Sequence, residues 1–539
     1  MKNKTFLSLM IAAALFLCAF STFRGEQGKG AANVVSAETP VDTTRGGTIW
    51  THSFSTGNKT SYNSIPILTE TAIYVVNSDT LYELAYEDGR ILRQFSLCAK
   101  MNSVCNMLLQ EQYLYIPLSE GRMECVNIRT MTSEWQSEAF GGQSLSTVFY
   151  HEGYLYAGCT TVSTSKTTGI FYCLDATNGS VQWTYEDKEH PGGYYWSGGI
   201  VHGDSLFFSG DNGFLVSHSL LENEVYDTYQ LTDTAQIRAG ITYSADTDAL
   251  YTVSNDGTLY EIHTSGGKIN TVKSSSLVPE ASQKNCTSTP TIYNNRIYIG
   301  CMADRYGYVV VLDADSLQPV YKVQGPLMAE VKSSPLVSTR GDTSGKVYVY
   351  FSANAQPGGL YYFTDQPGAK EGSWQTLYTP TAAKQYCLSS ITAGTDGTLY
   401  YSNDSGTLFA VREVEQSSDR IATPTPLVTP SPTPVPKETI VTPTVIKKIT
   451  KPAKPVNAKM KKKKKKISVQ WKKKTKGSQT IIYYRYGSGK WKKKIVKNKN
   501  SYSLPRKKGK KLSVRLRCRK KASGKWYYSG YTKTFHLKL

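Results

Sequence analysis

The chain has 539 residues, of which 40% are hydrophobic and 19% charged, and its formal net charge is +21 at pH 7. The charge is unevenly divided, because 35 Lys and Arg but no Asp or Glu follow Glu438; subtracting these from the 63 basic and 42 acidic residues of the whole chain leaves 28 and 42 upstream, a formal charge of −14. A chain of this length is longer than one ordinary domain. Its division into two parts of opposite charge gives information about binding partners and adhesion, but not about the fold.

The N-terminus has the pattern of an export signal. Lys2 and Lys4 precede a nearly continuous apolar run over residues 6–20, the order of charges typical of a secretory signal peptide. Small residues before Glu38 predict cleavage after Ala37, so that residues 1–37 form the signal; retention as an anchor is the alternative. Lipidation of Cys18 is disfavoured, because a bulky Leu precedes it. Downstream, no segment reaches the roughly 18 apolar residues needed to cross a bilayer, so we expect an extracellular protein associated with the cell envelope.

An aromatic-rich strand motif then recurs eight times. The central aromatic residues are 41 to 52 positions apart, the length of a four-stranded β unit with its turns. Each motif is preceded by a short strand and followed by a turn and another strand, and nothing of comparable length has helical periodicity. The pattern predicts an all-β repeat architecture. The motifs are Ile73-Tyr74-Val75, Leu114-Tyr115-Ile116, Leu155-Tyr156-Ala157, Leu206-Phe207-Phe208, Leu250-Tyr251-Thr252, Ile297-Tyr298-Ile299, Val347-Tyr348-Val349 and Leu399-Tyr400-Tyr401.

The third repeat shows the unit most completely. Its Leu174-Asp175 pair is followed by Gly179 and by Trp183 on the next strand, and Thr289-Pro290 and Ser334-Pro335 open later inner strands. In these residues the chain resembles the β-propeller repeats of the pyrroloquinoline quinone dehydrogenase-like superfamily. The resemblance covers about residues 46–412 and implies a β-propeller over that range.

The two ends of the repeat region complement each other. The eighth unit ends after three strands near Val411, whereas residues 47–54 form an orphan strand with Trp50 where an outer-strand Trp belongs. Joining the two would remove open sheet edges. We therefore predict eight blades closed by the N-terminal strand, with seven blades as the alternative.

One aromatic cluster is a candidate ligand site. Tyr194, Tyr195 and Trp196 begin an inner-strand segment beside the predicted central channel, where exposed rings can stack on sugars or quinones. The alternative is a plain packing role. The recurring outer-strand tryptophans, by contrast, are predicted to pack between neighbouring sheets.

The cysteines are consistent with export. Pairs that flank predicted hairpins or close a short loop are disulfide candidates, although sequence cannot fix their connectivity. No Cys-x-x-Cys is present, and no metal site is predicted. The candidate pairs are Cys159 with Cys173, Cys286 with Cys301, and Cys98 with Cys105.

If the chain were an enzyme of the family it resembles, it should contain that family's cofactor-binding and catalytic residues. Quinone dehydrogenases of this superfamily carry two adjacent cysteines, calcium-binding carboxylates and a catalytic Asp. This chain has no Cys-Cys, and none of its seven His is paired by motif with a nucleophile. We predict no cofactor and no enzymatic activity; a quinone-dependent dehydrogenase of the same superfamily is the alternative.

A linker is predicted over residues 413–450. It contains seven prolines between Ala422 and Ile446, and because proline lacks a backbone donor this segment cannot pair as a sheet. We expect an extended Pro/Thr-rich spacer.

Residues 451–539 are predicted to form a small β-sandwich. The segment Lys466-Ile-Ser-Val-Gln-Trp471 and the later Leu504-Pro505 resemble fibronectin type III domains of Gram-positive surface proteins, although Leu512 stands where that family usually has Tyr. Alternation along this strand predicts burial of Leu512, Val514, Leu516 and Cys518 and exposure of Ser513, Arg515, Arg517 and Arg519.

The acid-free domain is predicted to bind a polyanion. Many positive charges without internal counter-charges favour an anionic cell-wall polymer or an anionic lipid surface, and because no groove-reading motif is present, no specific nucleic acid is predicted. We therefore expect a secreted or surface-bound, non-enzymatic binding protein whose propeller recognises a protein or glycan while its basic domain holds it to the envelope. The candidate polyanion-binding residues are Lys461, Lys462, Lys463, Lys464, Lys465, Lys466, Arg515, Arg517 and Arg519.

Overall fold

The computed structural model describes most of the two predicted domains. It covers residues 33–54, 60–162, 167–325, 328–414, 452–464, 466–473, 475–487, 492–497, 499–507, 511–522, 525–529, 532 and 534–538. The predicted signal up to residue 32 and the predicted linker from residue 415 to its end at residue 450 lie outside these ranges. The chain divides into two compact units, 1–417 and 418–539. Within the described residues, no helix has the length and apolarity needed to span a bilayer.

In its described residues, the first unit contains eight successive sheets, named sheet 1 to sheet 8, whose strands pair antiparallel except at Val34–Val35. The eight motifs of the sequence all lie on a strand that is paired on both sides within its sheet, and nearly every motif residue is buried. A 3-10 turn at Ser119–Gly121 and a small hairpin, Thr161–Val162 with Thr167–Thr168, accompany them. The strands are as follows: Ile67–Leu68, Ile73–Asn77, Thr80–Leu84 and Ile91–Ser96 in sheet 1; Leu108–Gln110, Tyr113–Leu118, Arg122–Asn127 and Thr132–Gln136 in sheet 2; Phe149–His151, Tyr154–Gly158, Phe171–Asp175 and Val181–Tyr185 in sheet 3; Ile200–His202, Ser205–Ser209, Phe214–Ser219 and Glu224–Gln230 in sheet 4; Thr242–Ser244, Ala249–Val253, Thr258–Ser265 and Lys268–Ser276 in sheet 5; Lys284–Asn285, Thr291–Tyr293, Arg296–Ala303, Tyr306–Asp313 and Pro319–Gln324 in sheet 6; Val34–Val35, Leu336–Ser338, Val347–Ser352, Leu360–Asp365 and Gln375–Tyr378 in sheet 7; Gly46–Ser53, Thr392–Ala393, Leu399–Asn403 and Thr407–Glu413 in sheet 8.

Apolar side chains join each sheet to the next. One buried cluster lies between every two consecutive sheets, and a further cluster packs Trp50 and Tyr400 of sheet 8 against Ile73 of sheet 1. Because each sheet buries both faces against its neighbours, its central strands are almost continuously apolar. The predicted all-β propeller architecture is confirmed.

The N-terminal residues take part in two sheets. Gly46–Ser53 pairs antiparallel with Thr407–Glu413 and forms the outer strand of sheet 8. Val34–Val35 pairs in parallel with Val337 and Ser338 on the inner edge of sheet 7. The described part of this unit thus begins upstream of the predicted boundary at residue 46, and strand pairing extends into the predicted signal segment.

Two of the recurring tryptophans pack against turn glycines of the neighbouring sheet. Gly89 and Gly179 have φ of +68° and +70°, and an added Cβ would lie 2.4 Å from the rings of Trp50 and Trp135, respectively. Glycine is required there both by the left-handed backbone and by the close approach of the ring. The glycine of each turn therefore makes room for the tryptophan of the neighbouring sheet.

The second unit contains two sheets around one core. Sheet 9 consists of Val456–Lys462, Lys466–Lys472 and Ser501–Pro505; sheet 10 consists of Gln479–Tyr486, Lys492–Val496, Lys511–Ala522, Lys525–Tyr528 and Phe535–Lys538. Trp471, Ile482 and Leu512 are among the buried residues between them. The strand signals of the sequence lie close to these bounds, and the resemblance to fibronectin type III remains a prediction.

Candidate functional site

The segments that lead into the first strands are joined by hydroxyl groups. Ser146 Oγ donates to the carbonyl of Ser197 at 2.6 Å, and Ser288 Oγ donates to the carbonyl of Ser333 at 3.1 Å. The backbone N–H of Thr289 likewise donates to Ser334 Oγ at 3.1 Å in the next sheet. Buried and partly exposed residues alternate along the segments of sheets 5 to 8, so every second side chain there faces away from the core, toward the central channel that the sheets of a propeller surround.

Five partly exposed residues occupy equivalent positions in five consecutive sheets. Each lies two residues before the position at which its segment contacts the segment of a neighbouring sheet. We call this set of five residues the channel mouth. Because the members come from sheets 4 to 8, one side of the channel carries an indole, a guanidinium, an ammonium, a hydroxyl and an apolar group. The channel mouth consists of Trp196, Arg238, Thr287, Lys332 and Leu388.

The predicted aromatic cluster is divided by the structure. Tyr194 is only 3% exposed and packs edge-on against Phe171 and Phe208, with ring centroids 5.4 and 5.9 Å apart. It is a core residue. Tyr195 and Trp196 are partly exposed and adjacent, with ring centroids 5.8 Å apart. Of the three predicted ligand-site residues, Trp196 therefore belongs to the channel mouth and Tyr195 lies beside it.

Arg238 is held beside these rings. Its Nε and Nη2 donate to the two carboxylate oxygens of Asp211, at 3.0 and 3.2 Å, and its guanidinium lies 3.9 Å from the ring centroid of Tyr195. The Asp211 side chain is 2% exposed. Burial raises the pKa of Asp211, and the ion pair opposes that shift. The bidentate contact and the stacking together hold the guanidinium in one orientation.

Sequence reasoning missed Arg238. The Asp211-Asn-Gly segment looks like an ordinary hairpin turn, and the arginine lies 27 residues further along the chain. The local pattern of either segment contains no sign of the pairing.

Lys332 forms a second charged group at the channel mouth. Its Nζ lies 3.4 Å from Glu330 Oε2, which also accepts a hydrogen bond from Asn285 Nδ2 at 2.9 Å. Burial raises the pKa of Glu330, and Lys332 opposes this. Burial also raises the pKa of Asp404, on a turn of sheet 8, to about 6, again opposed by Lys332. The Asp404 carboxyl thus titrates close to neutral pH.

These residues do not fit a quinone held together with a metal ion. Asp211 and Glu330 are each engaged by a cation of the chain itself. Across the described ranges, no group of three or more His, Cys, Asp or Glu is placed to hold a metal ion. What the channel mouth offers is stacking on Trp196 and hydrogen bonds from fixed cationic and hydroxyl groups.

The cysteine pairs differ in their geometry, although all six candidates are free thiols. Cys159 lies opposite Ile170, whereas Cys173 lies opposite Tyr156, so three residues of register separate the two cysteines. At about 3.3 Å per residue this distance exceeds the reach of a disulfide, and the predicted Cys159–Cys173 bridge is wrong. Cys286 continues the register that places Asn285 opposite Met302, which brings it opposite Cys301. That bridge and Cys98–Cys105 remain predictions.

The basic unit exposes lysines but buries two of the predicted arginines. Arg515 and Arg517 are 5% and 4% exposed, and both guanidinium groups lie just under 6 Å from the ring centroid of Tyr483. The expected exposure of Ser513, at 3%, is also wrong. Alternation along a strand predicts which side chains share a face, but it cannot predict whether both faces are buried. In this strand both are, because Ser513, Arg515 and Arg517 are buried as well. Burial of Leu512, Val514, Leu516 and Cys518 is confirmed.

The predicted lysine run forms an exposed hairpin. Lys461 and Lys462 end one strand of sheet 9 and Lys466 begins the next, with the N–H of Lys463 donating to the carbonyl of Lys466 at 2.8 Å. All described members of the run are exposed; Lys465 lies outside the described residues. Partly buried Arg519 donates from Nε to Gln479 Oε1 at 3.0 Å.

A family model described as outer membrane protein assembly factor BamB matches residues 32–273. This range includes sheets 1 to 4 and most of sheet 5, so the match concerns the repeats of the first unit. No curated protein sequence matches the chain.

Several solved structures share the fold at low sequence identity. A quinohemoprotein alcohol dehydrogenase from Pseudomonas putida HK5 is 12% identical, with a TM-score of 0.54 over 74% of this chain and 82% of that chain. The quinohemoprotein alcohol dehydrogenase from Comamonas testosteroni is 10% identical, with a TM-score of 0.52 over 71% and 80%. A europium-containing methanol dehydrogenase is 12% identical, with a TM-score of 0.50 over 70% and 89%. At these identities the likeness extends to the propeller fold alone.

Proposed function

We propose that this protein is a non-enzymatic binding protein of the cell envelope. In this proposal the propeller binds a glycan or a protein at the channel mouth, and the basic unit holds the molecule to an anionic polymer or lipid surface. The observation that carries the proposal is the division of charge: 35 basic residues and no acidic residue follow Glu438, whereas the chain before it has a formal charge of −14. Such a division favours placement by the second unit and recognition by the first.

The channel mouth supports a role in recognition. Trp196 supplies a partly exposed indole, and Arg238 beside it is oriented by a bidentate ion pair. Flat rings next to fixed hydrogen-bond donors suit ligands that combine an apolar face with hydroxyl groups, which is the chemistry of a sugar ring. The carboxylates nearby are engaged by cations of the chain, an arrangement that favours binding over proton transfer.

The recognition half is tested with the full chain on a glycan array that includes cell-wall glycan fragments. We expect binding, and we expect Trp196→Ala to weaken it by about tenfold, as the loss of one stacking contact requires. Tyr229→Ala is the matched control, because Tyr229 is an exposed aromatic residue on the outer strand of sheet 4, 42% exposed. Equal binding by both variants would place the ligand elsewhere.

The enzymatic alternative is tested separately. The full chain is incubated with pyrroloquinoline quinone and calcium, and oxidation of a primary alcohol is followed with a dye acceptor. We expect no turnover above that of the free cofactor. Turnover that Trp196→Ala abolishes would replace the binding proposal with a quinone-dependent dehydrogenase.

A further inference from the structure

The outer face of sheet 9 combines lysines with uncharged polar side chains. Along Lys466–Lys472, the core side is formed by the buried residues Ile467, Val469 and Trp471. The opposite side carries exposed Lys466, Gln470 and Lys472, and Ser468, which is 8% exposed. The strands on either side add Lys459 and Lys461, and Ser501 and Ser503, all exposed. This face therefore presents ammonium, hydroxyl and amide groups together.

The strand register arranges these groups in two rows. Lys461 lies opposite Ser468, which lies opposite Ser503; Lys459 lies opposite Gln470, which lies opposite Ser501. Each row thus runs from a lysine on one edge to a serine on the other. Alternate residues along a strand are about 6.6 Å apart, and neighbouring strands are about 4.8 Å apart. Apart from Ser468, the side chains of the two rows are exposed, and they form a small, regular array of donors.

We propose that this face binds a linear phosphodiester polymer that lacks bases, of the poly(glycerol phosphate) kind. This inference rests on the proposed function, since it names the partner and the surface for the anchoring half. Ammonium groups attract the repeated negative charges, and the hydroxyl and amide groups donate hydrogen bonds to phosphate oxygens. No Asp or Glu follows Glu438, so sheets 9 and 10 contain no carboxylate side chain that competes for the lysines.

The side chains of the two rows also discriminate among anionic partners. Proteins that dock on a lipid surface insert apolar or aromatic groups, and those that hold single-stranded nucleic acid stack bases on aromatic rings. The rows contain neither kind of group: Met460 and Tyr502, the neighbouring candidates, pack into the core between the two sheets. A polymer that offers only charge and oxygen atoms fits the face.

The arginine-bearing strand of sheet 10 is a poorer candidate. Arg515 and Arg517 are almost completely buried. Their guanidinium groups therefore add to the positive electrostatic potential of the unit but are not placed to contact a long polymer. Docking is thereby assigned to lysines of sheet 9.

The test compares two variants of the full-length protein that remove equal charge from different sheets. Lys459→Gln/Lys461→Gln removes the lysine end of both rows, and Lys492→Gln/Lys493→Gln removes two exposed lysines of sheet 10. Binding to poly(glycerol phosphate) is measured by titration over a series of salt concentrations. We expect the sheet 9 variant to lose about five- to thirtyfold in affinity. We also expect the slope of log K against log salt concentration to become shallower by about 1.4, because each of the two lysines contributes about 0.7. We expect the control variant to lose less than about threefold.

Three further measurements complete the test. Ser501→Ala/Ser503→Ala leaves the charge unchanged, and we expect it to weaken binding without altering the salt dependence. Phosphatidylglycerol vesicles and an oligothymidine are measured beside the polymer, and tighter binding to either would overturn the assignment of the partner. Equal losses in the two lysine variants would show that binding follows the overall field and would overturn the assignment of the surface. If the wild-type chain binds none of the three probes, the proposed anchoring function itself fails.

Discussion

His218 lies buried between sheets 3 and 4. It is 4% exposed, and its ring is nearly parallel to that of Trp183, with centroids 4.0 Å apart and an angle of 17° between the planes. Burial lowers the pKa of His218 to about 4. The folded protein therefore keeps this imidazole neutral in a pH range where the unfolded chain protonates it.

The first prediction concerns the acid sensitivity that this histidine causes. Between pH 6.5 and about 4 the unfolded state binds one more proton than the folded state, so stability falls as the pH decreases, by on the order of 2–3 kcal/mol from this group. We expect His218→Phe to keep the stacking on Trp183 and to flatten the decline. The free energy of unfolding by denaturant, measured at several pH values, tests this.

A second substitution separates titration from packing. His218→Gln cannot titrate either, but it loses the aromatic stacking, so we expect lower stability at every pH together with the flattened dependence. If His218→Phe declined with acid as steeply as the wild type, another group would be responsible.

At the scale of elements, residues 33–42 form what we call the N-terminal strap. The N–H groups of Val337 and Thr339 donate to the carbonyls of Asn33 and Val35 at 2.8 and 2.9 Å. Thr39 Oγ1 lies 2.6 Å from the hydroxyl of Tyr350, which donates to the carbonyl of Pro40 at 2.9 Å. The strap thus covers the inner edge of sheet 7 and satisfies its backbone groups.

The second prediction compares two versions of the protein, one starting at Asn33 and one at Glu38. The shorter version lacks the strand pairing of Val34–Val35 and leaves backbone donors of sheet 7 without their partners. We expect it to be less stable by about 1–3 kcal/mol, measured by denaturant unfolding of the first unit. Identical stability would show that the strap adds nothing to the fold.

The strap also bears on the predicted signal peptide. Cleavage after Ala37 would remove the pairing of Val34–Val35, so the mass of the exported protein distinguishes a mature chain that keeps the strap from one that loses it. We expect the mature N-terminus to lie at or before Asn33.

At the scale of the whole molecule, the two units have separate cores. The cluster of the second unit contains residues from Ala458 to Leu537 only, and the clusters of the first unit contain none of them. The charges are equally separate, because no acidic side chain follows Glu438 to offset the 35 positive charges there. Repulsion among these charges destabilises that unit alone.

The third prediction follows from this separation. We expect calorimetry of the intact chain to show two unfolding transitions. Raising the ionic strength from about 0.05 M to about 0.5 M shortens the range of charge repulsion, so we expect the transition of the basic unit to move upward by several degrees and the other to move less. A single transition, or equal shifts of both, would contradict the prediction.

Much of the fold could be predicted from the sequence because its determinants are local. Alternation within five residues predicts a strand, a Gly at the end of an Asp-containing turn predicts a hairpin, and the spacing of the central tyrosines predicts the length of each sheet. Leu512, Val514, Leu516 and Cys518 were predicted to be buried, and they are. The division into an acidic and a basic part likewise needs only residue counts.

The channel mouth, the two buried arginines and the strap depend instead on which strands meet. Arg238 is oriented by a carboxylate from the preceding sheet, Arg515 and Arg517 are covered although their strand alternates, and Val34 pairs with a strand about 300 residues away. Side-chain alternation specifies the two faces of a strand but not what packs on them, and register between distant strands is set by packing of the whole core. The sequence alone therefore determined the kinds of sheet and the separation of charge, whereas the tertiary structure decided which charged groups are exposed and can meet a partner.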